Sequence, residues 1–282
     1  MSSQHPGVAS NRSCRRRAVL RKASVPFALL AGAVVLGGCK VPTFGAFRGA
    51  TTQGHAEFKL WVGLFIAGLI VAIIVWALIL WAAAAYRRKR PDQMPSQFHA
   101  NIPLEIIYTV VPVIIVAVIF YFTVVTENQV DAVSRHPAER VHVLAYRWGW
   151  RFTYENGQGR PQGVTIQTTA PPRALALPAT SSQYPQLVLP EGQTVRIVLD
   201  SNDVIHELYV PAFNFGRFAQ PGHTNVFDFT TTRTGVFRGQ CAEFCGLYHS
   251  EMLFSVRVVP PATFGQWLTT EQQRQAKQGA TS

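Results

Sequence analysis

Two long runs without a charged residue dominate the polar and apolar pattern of the chain: Leu60 to Ala85 and Ile106 to Thr126. At about 1.5 Å rise per residue, each can cross the ~30 Å hydrocarbon core of a bilayer as a helix. Trp61 at one end of the first run, and Trp81 and Tyr86 at the other, suit membrane interfaces. The second run opens at Ile102-Pro103, where a missing N–H costs little in a first helical turn, and Pro112 predicts a kink. A third apolar run, Val25 to Leu36, is too short to span comfortably.

From Glu127 the pattern changes to short β-type runs punctuated by Gly and Pro. Strands are predicted at 141–146, 187–189, 194–199, 206–210, 225–230, 235–240 and 251–259, which indicates a sandwich or barrel. Tyr146, Trp148, Trp150, Phe152 and Tyr154 recur at period two and predict one strand with an aromatic face. Thr263 to Lys277 has helical composition. The predicted class is therefore mixed membrane and all-β: a two-helix transmembrane hairpin followed by a β-sandwich. The expected divisions are a signal peptide over 1–38, a linker over 39–58, a first span over 59–86 and a cytoplasmic loop over 87–101. A second span over 102–126, a β domain over 127–262 and a C-terminal helix and tail over 263–282 complete the chain.

Charge assigns the topology. The net charge of +11 is concentrated in two places. Arg12, Arg15, Arg16, Arg17, Arg21 and Lys22 precede the short apolar run, and Arg87, Arg88, Lys89 and Arg90 follow the first span. The second cluster places the 87–101 loop in the cytoplasm and the β domain outside. From Glu127 onward, 13 basic residues meet 12 acidic ones, so the excess is targeting and topology, and no nucleic-acid partner is expected. The N-terminus reads as a signal peptide that also brushes against a twin-arginine pattern. Leu36-Gly37-Gly38-Cys39 resembles a lipobox, which predicts a lipoprotein with lipid on Cys39. With Cys14 removed in the signal, only Cys241 and Cys245 remain for other chemistry.

Those two cysteines belong to Gln240-Cys241-Ala242-Glu243-Phe244-Cys245-Gly246-Leu247-Tyr248-His249-Ser250-Glu251-Met252. Soft thiolates with imidazole and thioether suit copper rather than magnesium or calcium. His206, at the start of an expected strand, is the best upstream histidine. A mononuclear blue-copper site uses one cysteine, so the second cysteine points to two coppers. A closed four-coordinate zinc site and a Cys241–Cys245 disulfide are the competing readings.

His206 with Cys241-x-Glu243-x-Cys245-x3-His249-x2-Met252 resembles the dicopper Cu-A motif of cytochrome c oxidase subunit II, and the likeness runs from about Leu60 to Leu268. The resemblance implies a cupredoxin-like domain and two copper ions bridged by both thiolates. One histidine would serve each copper, Met252 would be a weak ligand to one, and the Glu243 carbonyl would bind the other. It implies that the Glu243 side chain reaches a magnesium ion shared with subunit I, and that Trp148 is where an electron arrives from cytochrome c. It also implies that Glu105, in Glu105-Ile106-Ile107-Tyr108-Thr109-Val110-Val111-Pro112, lies at the mouth of a proton path. The expected function is to accept electrons from cytochrome c and pass them to haem a in subunit I. There oxygen is reduced to water with proton pumping, at a bacterial cell membrane, with the copper domain outside. The family's acidic docking face is missing here, since Arg147, Arg151 and Arg160 accompany Glu155 and Asn156. That departure suggests a cytochrome c tethered to a quinol-oxidising complex. Alternatives are a Cu-A subunit of a nitric oxide reductase and a non-enzymatic copper-binding protein.

Overall fold

A computed structural model describes residues 43–88, 90, 94, 97–168 and 184–280. The signal segment 1–38 and Cys39 lie outside the described residues.

Helix α1 spans Thr52–Ala85 and helix α2 spans Ile102–Val130. Both exceed their expected bounds. The first begins inside the stretch assigned to a linker, and the second runs past Thr126 into the segment assigned to the β domain. Absence of charge marks only what lipid demands, whereas a helix begins where its first amides find a cap. Here the buried Thr51 hydroxyl accepts the Gly54 N–H at 3.0 Å. Helix α2 continues through Pro112 and ends at Asp131, whose N–H reaches the Glu127 carbonyl at 2.9 Å. Both helices are long and apolar enough to cross a membrane, and their apolar windows are not covered by this chain. Every backbone group in a helix interior is paired within the segment, which hydrocarbon requires.

Among the described residues ten strands follow: β1 Glu139–Tyr146, β2 Gly149–Asn156, β3 Pro161–Gln167, β4 Gln186–Pro190, β5 Thr194–Ser201, β6 His206–Val210, β7 Phe215–Ala219, β8 Asn225–Thr230, β9 Gly235–Cys241 and β10 Leu253–Val259. They form two five-stranded sheets, in the orders β3-β2-β1-β5-β8 and β4-β10-β9-β6-β7. Inward residues of both sheets, among them Trp150, Phe152, Ile197, Leu199, Phe254 and Val256, are fully buried. Each such side chain contributes about 1.5–3 kcal/mol by leaving water. Gly239 lets the Phe254 ring lie against the β9 backbone, since a Cβ there would sit 2.2 Å from that ring.

The aromatic segment is not one strand. Tyr146 pairs with Gly149, so Arg147 and Trp148 form the tip of a hairpin between β1 and β2. Only Trp150, Phe152 and Tyr154 point into the core, and Trp148 stays at the surface end. A period-two pattern survives a two-residue turn unchanged, which is why alternation alone did not expose it. Strand β10 begins at Leu253 rather than at 251, because His249–Glu251 form a single 3-10 turn. Strand β3 has one buried residue, Val164, and so lacks the apolar signature of a strand.

Helix α3, Pro261–Gly279, closes the edge that β3 would otherwise expose. The Gln275 amide accepts from Thr165 N–H at 2.9 Å and donates to its carbonyl at 2.9 Å, as a neighbouring strand would. Between the sheets, the buried Tyr154 hydroxyl donates to the Val188 carbonyl at 3.0 Å and accepts its N–H at 2.8 Å. Tyr154→Phe leaves both groups unpaired, at a cost of about 1–3 kcal/mol. The expected outcome is a Tm lowered by several degrees with copper content unchanged; an unaltered melting curve would show that the two sheets do not depend on this contact.

Candidate metal centre

Three neighbouring strands bring the donors together. Strand β9 pairs with β6 through Leu208 and Cys241, and with β10 through Gln240 and Leu253. His206 opens β6, Cys241 closes β9, and the loop from Ala242 to Met252 folds back so that Cys241 N–H reaches the Met252 carbonyl at 3.0 Å. His206, Cys241, Cys245 and Met252 are all buried.

The distances have the scale of ligand–ligand edges. Two atoms each ~2.3 Å from one metal lie about 3.8 Å apart at a tetrahedral angle. The Cys241 and Cys245 Sγ atoms are 3.9 Å apart, and both thiols are free. Around Cys241 Sγ lie His206 Nδ1 at 3.8 Å and the Glu243 carbonyl at 3.2 Å. Around Cys245 Sγ lie His249 Nδ1 at 3.5 Å and Met252 Sδ at 3.8 Å. The donors thus form two lobes, one on each sulfur. His206, Cys241 and Cys245 have ligand atoms mutually within 4.8 Å, and His249 stands outside that group. The soft sulfurs and imidazoles fit copper by their chemistry.

A further shell orients these ligands. Asp203 Oδ1 lies 2.8 Å from His206 Nε2. A carboxylate can only accept, so Nε2 carries the proton and Nδ1 presents its lone pair to the metal side. Burial raises the Asp203 pKa, but hydrogen bonds from His206 and from the Arg147 and Val204 N–H groups outweigh it and hold the carboxyl below its usual range. The Arg147 N–H reaches Asp203 Oδ2 at 2.7 Å. Asp203 therefore ties a ligand to the hairpin tip that carries Trp148. The Trp148 indole N–H donates to the Cys245 carbonyl at 3.2 Å, and its ring meets Tyr248 edge-on at 5.0 Å. Trp150 donates to the Met252 carbonyl at 3.3 Å. Gly246, at φ 114°, would place a Cβ 3.2 Å from the Trp148 ring.

The six expected copper ligands are brought together, with Trp148 against them. Glu105 is not part of this cluster. It lies in the first turn of α2, where its carboxylate accepts the Asn101 N–H at 3.0 Å while Asn101 Oδ1 accepts from Leu104 N at 3.3 Å. Asp203 was not singled out from the sequence; an acidic residue three positions before a candidate ligand was the available signal.

The chain matches the family model described as cytochrome c oxidase subunit II, periplasmic domain, over residues 140–259, and the corresponding transmembrane domain over 49–124. Cytochrome c oxidase subunit 2 of Mycobacterium tuberculosis H37Rv is 34% identical, over 88% of this chain and 81% of the relative. A probable cytochrome c oxidase subunit 2 of Streptomyces avermitilis is 37% identical, over 80% of this chain and 78% of the relative. The crystal structure of the periplasmic domain of subunit II of cytochrome oxidase from Bradyrhizobium japonicum is 26% identical, covering 50% of this chain and 99% of that one, with a TM-score of 0.42.

Two outcomes follow from the local chemistry. Burial, and then the neighbouring Cys241, push the Cys245 thiol up to about 12, so it is protonated near neutrality. A metal that binds thiolate displaces that proton, and copper affinity is expected to rise with pH and to be lost in acid. Competition with a chelator across a pH series measures the slope; a flat profile would mean that no thiol proton is released. Asp203→Ala removes the His206 acceptor and is expected to weaken copper retention about 10–100-fold; retention equal to that of the unaltered protein would remove Asp203 from the positioning network.

Proposed function

The chain belongs to the cytochrome c oxidase subunit II family, and on that premise we propose that its outer domain relays single electrons through a pair of copper ions. As a member of that family it is a subunit of a haem–copper oxidoreductase and partners other oxidase subunits. Two apolar helices anchor it in a membrane, with the β domain on the extracytoplasmic side. The proposed setting is a bacterial cell membrane, with the mature chain starting at a lipidated Cys39.

The observation that carries the proposal is the two-lobed donor set around the sulfurs. In the proposed assignment Cys241 and Cys245 would both help to hold the pair of ions. His206 and the Glu243 carbonyl complete one lobe, and His249 and Met252 complete the other. Copper in this setting supplies one-electron exchange with charge spread over several bonds. The chain's residues supply a buried, preorganised cage that limits solvent reorganisation. A single closed zinc would use four donors, whereas this loop and β6 converge six.

Trp148 is proposed to accept the electron from cytochrome c, because its indole links the domain surface to the Cys245 backbone by a direct hydrogen bond. The domain would then pass the electron to haem a of subunit I, where oxygen is reduced and protons are pumped. At the hairpin tip, the Arg147 side chain pairs with Asp203 at 3.5 Å, and the Arg151 Nε donates to Gln167 at 2.9 Å. Arg147 and Arg151 flank Trp148 in sequence and are exposed, and this basic setting supports a donor tethered to a quinol-oxidising complex over a mobile basic cytochrome.

The Glu243 side chain is proposed to hold magnesium with the neighbouring subunit. Glu207 supports this: burial, and then the nearby Glu243, raise its pKa, and paired carboxylates are relieved by a hard cation. Glu105 is proposed to lie at the mouth of a proton path from the cytoplasmic side.

Copper quantification with electron paramagnetic resonance tests the centre. The expected result is a pair of coppers sharing one unpaired electron; hyperfine structure from one nucleus would overturn it. Trp148→Phe is expected to slow electron uptake from cytochrome c by at least tenfold, an effect of about 1.4 kcal/mol, with copper content and the spectrum retained. Unchanged uptake would move the site of electron acceptance elsewhere. Glu243→Gln is expected to keep copper and lose the magnesium; retained magnesium would refute that assignment.

A further inference from the structure

The outer ends of α1 and α2 border cavities of different charge. A cleft of about 610 Å³ collects Glu57, Glu127 and Asp131, with Arg217 ion-paired to Asp131, and meets the groove between the helices at Leu60 and Thr126. Two further cavities share His55 and, among the described residues, are lined by no acidic side chain. One is a cleft of about 740 Å³ bordered by Arg48, His55 and Arg233. The other is a groove of about 510 Å³ between the helices, a volume in the range that ligand clefts occupy.

The groove is itself two-toned. Its lip carries His55, Lys59, Thr126 and Gln129, and its floor is Leu60, Leu64, Ala67, Val118, Ile119 and Phe122. The α1 residues Lys59, Leu60, Gly63, Leu64 and Ala67 recur at three- and four-residue spacing and so form one stripe along the helix. Gly63 is not there to let helices touch, because a Cβ on it would meet no atom within 4 Å. This chain leaves the space beside it open.

We propose that the paired cavities bind an anionic phospholipid of the outer leaflet. Its phosphate lies among Lys59, His55 and Arg233, and one acyl chain lies along the groove past Gly63. The occupant is chosen by charge complementarity. A basic rim without a carboxylate, continuous with an apolar channel at interfacial depth, matches a negative headgroup joined to a hydrocarbon tail. A neighbouring subunit's apolar helix would fill the floor but bring no anionic group to Lys59 and Arg233 at the lip. The inference rests on the hairpin spanning a membrane and is independent of the copper assignment.

The test uses the purified oxidase complex exchanged into phosphatidylcholine vesicles. These contain either photoactivatable phosphatidylglycerol or photoactivatable phosphatidylcholine, with adducts mapped by peptide mass spectrometry. Phosphatidylglycerol is expected to label the segment 59–67 and phosphatidylcholine to label it several-fold less. Lys59→Gln and Arg233→Gln are each expected to reduce the labelling about fivefold. Gly63→Leu blocks the channel and is expected to abolish it with the rim intact. Copper and haem content must stay constant; if Gly63→Leu disturbs them, the two rim variants decide the case. Equal labelling from both lipids, labelling indifferent to the rim variants, or cross-linking from position 63 to another subunit would overturn the proposal.

Discussion

The register of β6 against β9, and of β9 against β10, is the constraint on which the metal centre depends. Leu208 faces Cys241 and Gln240 faces Leu253, so His206, Cys241 and Met252 meet at one end of one sheet. A slip of one residue in any of these pairs would turn a ligand from the buried face to solvent. The ladder hydrogen bonds therefore carry the cost of positioning before a metal arrives. A cage assembled in this way changes little when its charge changes, which is what fast one-electron exchange requires.

The same economy extends outward from the ligands. Asp203 holds His206 by one oxygen and the Arg147 backbone by the other, and Trp148 and Trp150 donate to the carbonyls of Cys245 and Met252. The two tryptophan bonds join the ligand loop to the hairpin between β1 and β2, and Asp203 joins that hairpin to His206. The copper-side residues and the surface indole are thus parts of one hydrogen-bonded unit. Gly246 completes it by omitting the Cβ that would press on the Trp148 ring.

The helical hairpin is seated on the β domain rather than loosely tethered to it. Gln53 accepts the Thr230 N–H at 3.2 Å, Asn214 donates to the Gly54 carbonyl at 3.3 Å, and Arg217 reaches Asp131 at the end of α2. These contacts explain why both helices outrun their charge-free segments: their polar outer turns are structural parts of the domain interface. An acidic cleft at Glu57, Glu127 and Asp131 and a basic one at Arg48, His55 and Arg233 both border this seat.

The hairpin and the cluster of soft donors were legible in the chain because their signals are local. Some twenty apolar residues without charge must satisfy their own backbone in lipid, and soft donors crowded into a dozen positions limit the possible metals. The break at Arg147-Trp148 was not legible, because a two-residue turn preserves the alternation on both sides of it. Strand β3 was not legible either: it sits at an edge, buries only Val164, and is held by Gln275 more than a hundred residues away. Which donors share a sulfur, which oxygen of Asp203 faces His206, and which side of α1 is left empty were settled by strand pairing and helix packing. Those are contacts between distant segments, and no single segment's composition encodes them.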